Sequence, residues 1–296
     1  MAEIWLMLAA MTVLMCCCAA AGYWIARWIG FSLSVLLAGL VTALMLIFAQ
    51  YLSDSVWVAQ VVPARMLPVF GNWLPPLAGM LTGIGWVISR RPPWMKVVIL
   101  GILVVCAMCL PYRWVLAERP TVRNVWLRSL CLQTTDATCG AAAAATLLNS
   151  VGITSDEQEM TGLCFTTWQG TSLHGVIGGL AKKIEGTPWR VKVLKTDAQS
   201  LKQLGRPAIL RVGLDSDALK TTRSVQRGGW IPGVAHMVVL RRVYADGRVR
   251  IADPSTGWET WNPDTLNVLW QGVAIVLEPR DPTPAPVIVS SEASLP

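Results

Sequence analysis

Charge is scarce in this chain of 296 residues: Asp, Glu, Lys and Arg together make up 15%, where a soluble domain carries about 25%. The shortage sits in the first 111 residues, which hold five basic and two acidic side chains. The other 185 hold twenty and sixteen, so the net charge of +7 divides as +3 and +4. Such a chain is neither wholly soluble nor disordered. Histidine is scarcer still, with two in the chain, so an imidazole base has to be His174 or His236. No GxxxxGK[ST] phosphate loop occurs, which excludes a P-loop nucleotide site.

Long apolar runs occupy the charge-poor part. Residues 4–26, 28–53 and 66–89 carry no charge, and 97–112 is flanked by Lys96 and Arg113, which can snorkel. A spanning helix needs about 20 apolar residues. Four transmembrane helices are therefore expected, at about 4–26, 31–52, 68–89 and 95–113, making 1–113 an all-α membrane region with the lipid bilayer as a partner. Pro68, Pro75 and Pro76 would kink or delay the third. Trp5, Trp24, Trp28, Trp57, Trp73, Trp86, Trp94 and Trp114 fall near the expected span ends, where indoles are favoured. Residues 4–26 are too long for a cleaved signal peptide and lack a basic leader. The residues before Cys16, Val13-Leu14-Met15, are too bulky for lipoprotein processing. Cys16, Cys17, Cys18, Cys106 and Cys109 read as small apolar filler. Arg65, Arg113, Arg119, Arg123 and Arg128 on one face balance Arg27, Arg90, Arg91 and Lys96 on the other, so the positive-inside rule sets no orientation.

Residues 114–130 read as a basic connector, 131–279 as the globular part and 280–296, rich in Pro and Ser, as a disordered tail. Helices are expected over alanine-rich 139–150 and over 172–184, the latter capped by Thr171 or Ser172. A short helix is expected after Asn262-Pro263-Asp264. Strands are expected at 190–195, 207–213, 235–244, 248–252 and 272–278, with Ala245-Asp246-Gly247 turning a hairpin. Helices followed by antiparallel strands make an α+β domain.

The chemistry-bearing segment is CLQTTDATCGAAAAATLLNS, residues 131–150. Cys139 opens the alanine helix, where unsatisfied N–H groups and the dipole favour thiolate over thiol. His236 begins a strong strand and Asp253 ends its hairpin partner, so the carboxylate falls near the ring. There it can fix the tautomer and steady the imidazolium. His174, the competing base, lies on a helix with no acid at neighbouring helical positions. Asp253-Pro254 also reads as a turn opener, and one residue can do both. Gln133, six residues before Cys139, is a candidate oxyanion donor, working with the backbone N–H of the nucleophile.

With these residues in place, the chain resembles the papain-like peptidases that process double-glycine leaders of bacteriocins and related peptides. The resemblance covers about 130–279 and rests on QTTDATCG (133–140), GTSLHGV (170–176), PAIL (207–210), AHMVVL (235–240), IADPSTG (251–257) and WQGVAIVL (270–277). It implies a papain-like fold with Cys139 as nucleophile, His236 as general base and acid, Asp253 as orienter and Gln133 as oxyanion donor. It further implies cleavage after Gly-Gly in a leader or precursor peptide, with no metal or cofactor, beside a separate exporter. In the best-known members the peptidase precedes a transporter and its ATPase, whereas here the apolar runs come first; Thr138 stands where an acidic or aromatic residue is often found. The same triad would serve an acyl transferase, and the same fold a non-hydrolytic peptide-binding module.

Cys131 and Cys164 could pair in an oxidising compartment or remain thiols in the cytosol. Neither histidine falls within ligand spacing of the cysteines, so no zinc site is expected. The positive charge is too diffuse to predict a nucleic-acid partner.

Overall fold

The computed structural model describes residues 2–201, 203–214 and 230–281. The expected disordered tail lies, from residue 282 onward, outside them. The N-terminal part is helical: α1 (Ala2–Ile29), α2 (Phe31–Ile47, continued by a π turn to Leu52), α3 (Val56–Val61), α4 (Leu67–Phe70), α5 (Leu74–Ile88) and α6 (Pro93–Leu116). Glu3–Ile29 and Phe31–Leu52 are long and apolar enough to cross a membrane.

The third expected span, 68–89, is not one helix. Pro75 in the first turn of α5 has no N–H to continue an upstream ladder. The chain therefore breaks at Gly71 and restarts at Leu74. The 15 residues of α5 rise about 22 Å, short of the roughly 30 Å of hydrocarbon. Helix α5 packs closely on α1. Gly79 and Gly83 form a GxxxG pair on α5, and a Cβ at either would collide with the Met15 or Ala19 carbonyl of α1. Small residues at such contacts let two helix backbones approach closely.

The C-terminal part places helices on one face of a sheet. A small hairpin, β1 (Trp126–Leu127) and β2 (Leu130–Cys131), precedes α7 (Cys139–Asn149), α8 (Glu157–Leu163) and α9 (Leu173–Lys183). Then come β3 (Trp189–Lys195), α10 (Ala198–Leu201), β4 (Ala208–Val212), β5 (His236–Val243), β6 (Val249–Asp253), β7 (Gly257–Trp261), α11 (Pro263–Leu269) and β8 (Trp270–Pro279). Sheet order is β3-β8-β4-β5-β6-β7, and every pairing is antiparallel. The expected α+β class and its main elements stand; β1–β2, α8, α10 and β7 are additions.

Helix α7 is central. Ala141 through Ala145 are fully buried, because side chains this small let the helix sit between α8, α9 and the sheet. Side-chain caps fix the helix starts around it. Ser172 Oγ accepts from Gly175 N at 2.9 Å, Asp156 Oδ1 from Glu159 N at 2.8 Å and Asn262 Oδ1 from Thr265 N at 2.7 Å.

The helical N-terminal part does not stand apart from this core. Val56, Val58 and Leu67 belong to the same buried cluster as α7 and α9. At its edge, Arg65 meets Glu3 at 2.6 Å and Glu185 at 2.6 Å, while Lys182 meets Glu3 at 2.7 Å and Glu185 at 3.0 Å.

Candidate active site

Three elements converge at one end of the sheet. Cys139 is the first residue of α7, His236 the first of β5 and Asp253 the last of β6. Pairing of Val239 with Ala252 and Leu240 with Ile251 sets the hairpin register. Side chains alternate along a strand. Val238, Leu240 and Ile251 share one buried cluster while Met237, Val239 and Ala252 share the other. His236 and Asp253 therefore fall on the same face, as diagonal neighbours.

His236 Nε2 lies 2.8 Å from Asp253 Oδ1, and Cys139 acts on the same ring. Asp253 is 2% exposed. Its Oδ1 also accepts from Ser255 N at 2.8 Å and Ser255 Oγ at 2.7 Å. Burial alone would lower the basicity of His236, but its hydrogen bonds to Asp253 and Cys139 outweigh that and push its pKa up to about 10. Burial would likewise raise Asp253; the bonds from His236 and Ser255 win, and its pKa is lowered.

Gln133 follows β2, and its N–H donates to Pro254 O at 2.8 Å, tying it to the residue after Asp253. Its Oε1 is buried without a hydrogen-bond partner among the described residues. Thr138, before Cys139, makes no side-chain cap to α7. Its Oγ1 instead accepts from Thr134 N at 3.2 Å and Thr135 N at 3.1 Å, so the hydroxyl does not cover the first amides of the helix. A cavity of about 350 Å³ opens beside the pair, lined by Gln133, Trp230, Val234, His236, Asp253 and Glu259. The edge of Trp230 packs on the His236 ring, centroids 5.8 Å apart.

The structure thus brings Gln133, Cys139, His236 and Asp253 together and leaves His174 elsewhere. That residue is 5% exposed, and its Nε2 is 3.1 Å from Ser55 O, facing the N-terminal helices. Cys131 and Cys164 are free thiols and fully buried. Burial pushes Cys131 up to about 12 and Cys164 also upward, so neither is a reactive thiol. Ser255 was missed in the sequence, and Thr138 was noted there only as a departure from the family pattern. Asp-Pro-Ser is the signal that points to Ser255, since Asp bonding the N–H two residues on is an Asx turn.

A family profile described as Peptidase C39 family matches residues 128–282. Among solved structures, the chain is similar to the peptidase domain of Streptococcus ComA, a bi-functional ABC transporter involved in a quorum-sensing pathway. Identity there is 22% over 51% of this chain and 97% of that one, with a TM-score of 0.40. It is also similar to a double glycine motif protease from an AMS/PCAT transporter in complex with its leader peptide, at 18% identity over 55% and 94% and a TM-score of 0.39. The peptidase domain of Streptococcus mutans ComA matches at 22% over 51% and 100%, with a TM-score of 0.35. A comparison with curated proteins finds no match. The matched profile covers just over half of the sequence, including all four converging side chains, and the chain accordingly belongs to the peptidase C39 family of papain-like cysteine peptidases.

Proposed function

We propose that this protein is a membrane-anchored cysteine endopeptidase that cuts a leader or precursor peptide after Gly-Gly, using Cys139, His236, Asp253 and Gln133. The observation that carries this reading is the 2.8 Å contact of His236 Nε2 with Asp253 Oδ1, on a ring that Cys139 also acts on. Residues 1–113 are the anchor, 114–130 the connector and 131–279 the peptidase; Glu3–Ile29 and Phe31–Leu52 support the anchor by length and composition. The Gly-Gly preference is supported by family membership and by the motif around Cys139. A separate exporter for the product is part of the same reading.

Cys139 sulfur attacks the scissile carbonyl carbon, a C–S bond forms, and the carbonyl π pair moves onto oxygen. The Gln133 amide and the Cys139 N–H stabilise that oxyanion; removing one such donor typically costs about 10²–10³ in rate. Collapse breaks the C–N bond, and the His236 imidazolium gives its proton to the departing amine. Water, deprotonated by His236, then breaks the thioester and returns the sulfur. Asp253 holds the ring in the tautomer this exchange needs.

The test is incubation of membranes containing the full chain with a synthetic precursor peptide bearing one Gly-Gly junction, read by product mass. Products carrying added water, abolished by Cys139→Ser and by His236→Ala, support the reading. An added amine in place of water makes the protein a transferase. Equal iodoacetamide labelling of Cys139→Ser and the unaltered chain removes the nucleophile.

A further inference from the structure

We propose that Glu157 is a positioning residue for this site: it holds the loop that carries Gln133 and leads into Cys139. The proposal rests on the reading of Gln133 as an oxyanion donor. Glu157 is fully buried on α8, and both of its oxygens are committed to one residue. Thr134 N donates to Oε1 at 2.6 Å and Thr134 Oγ1 donates to Oε2 at 2.6 Å. Charged acceptors make short, strong hydrogen bonds, and two of them to one residue fix orientation as well as position.

Thr134 directly follows Gln133, so this grip sets the peptide plane from which the Gln133 side chain departs. Gln133 needs such help. Its own Oε1 has no partner among the described residues, so the backbone contributes to its direction. That backbone is tied on one side to Pro254 O at 2.8 Å and on the other to Glu157. Thr138 Oγ1 closes the loop from within, donating to Thr135 O at 3.0 Å. Burying a carboxylate is costly unless it is well paired, and here the partner is a loop of the site rather than a cation.

The test uses the full chain in detergent and a peptide aldehyde ending in Gly-glycinal. Cys139 sulfur adds to the aldehyde carbon, a C–S bond forms, and the carbonyl π pair moves to an oxygen that takes a proton from His236. The hemithioacetal places that oxygen where the oxyanion donor acts. Two quantities are measured: aldehyde affinity, read as protection of Cys139 from iodoacetamide, and the rate of alkylation without aldehyde, which needs no oxyanion donor. Glu157→Gln is expected to weaken aldehyde binding about tenfold with alkylation unchanged, and to add nothing once Gln133→Ala is present. Thr134→Val, which removes the hydroxyl bond to Glu157 and the one accepted from Arg123 N but keeps the Thr134 N–H bond, is expected to act in the same direction more weakly and stands in if Glu157→Gln does not fold.

Losses that multiply in the Gln133→Ala background, or an equal slowing of alkylation, would overturn the proposal. If Gln133→Ala alone leaves aldehyde affinity intact, the role of Gln133 fails and takes that of Glu157 with it. If the aldehyde fails to protect the unaltered chain, the peptidase reading falls too.

Discussion

Ser255 Oγ donates at 2.7 Å to the same Asp253 oxygen that faces His236 Nε2 at 2.8 Å. The turn that ends β6 and the hydrogen bond that orients the imidazole are thus one structure. Asp253 opens an Asx turn with one lone pair and holds the ring with another. Ser255→Ala should lower kcat severalfold with little change in KM, and cost about 0.5–1.5 kcal/mol of stability. Steady-state kinetics and thermal unfolding check it.

Because the His236 pKa is pushed up to about 10, kcat/KM should hold through neutral pH and fall on an alkaline limb near that value, where the proton for the leaving amine is lost. Asp253→Asn should move that limb to lower pH and reduce kcat/KM by about 10²–10⁴. A limb near pH 7 in the unaltered protein would contradict the assignment.

The same shifts govern stability with opposite signs. The raised His236 pKa stabilises fully below the ordinary imidazole value of 6.5, and this contribution is lost as pH rises toward about 10. The lowered Asp253 pKa stabilises above its ordinary value of 3.8, and its contribution is lost as pH falls through the folded value. Thermal unfolding against pH should therefore show a plateau between these limits, and Asp253→Asn should flatten both edges.

Gly140→Ala places a Cβ 2.9 Å from Thr171 Cβ and 3.1 Å from Val176 Cγ2. Neither atom is the end of a long flexible chain, so overpacking should cost about 1–3 kcal/mol and displace Cys139. A lower melting temperature together with slower iodoacetamide labelling is the expected pair of results.

Val58, in the helical N-terminal part, is fully buried within the core of the peptidase. Val58→Ala should therefore destabilise the peptidase itself by about 1–3 kcal/mol, although the residue lies outside the matched family region. The ion cluster of Arg65 and Lys182 is about 40% exposed, and Arg65→Ala should cost under about 1 kcal/mol. Unfolding followed by near-ultraviolet circular dichroism separates the two.

Much of the site was legible because chemistry is concentrated in short segments. Cys139 at the start of an alanine run and Asp253 at the end of a hairpin strand are local patterns, and they lie where those patterns place them. Glu157 and the loop bonds of Thr138 were not legible. Glu157 sits on a helix of seven residues, too short for a periodic signal, and it acts on a loop 23 positions away. The third apolar run was read as one span that its prolines would kink or delay, and the turn at Gly71 divides it into two helices.

Sequence alone determined the apolar N-terminal runs, the α+β order behind them and the thiol at a helix start, because each depends on residues near one another in the chain. Tertiary structure set the surroundings of the two histidines. His174 and His236 both lie at the start of strong local elements, yet burial turns one toward Ser55 and strand pairing turns the other toward Asp253. It also decided that Val56, Val58 and Leu67 complete the peptidase core, since what an apolar side chain packs against is set by surfaces distant in sequence.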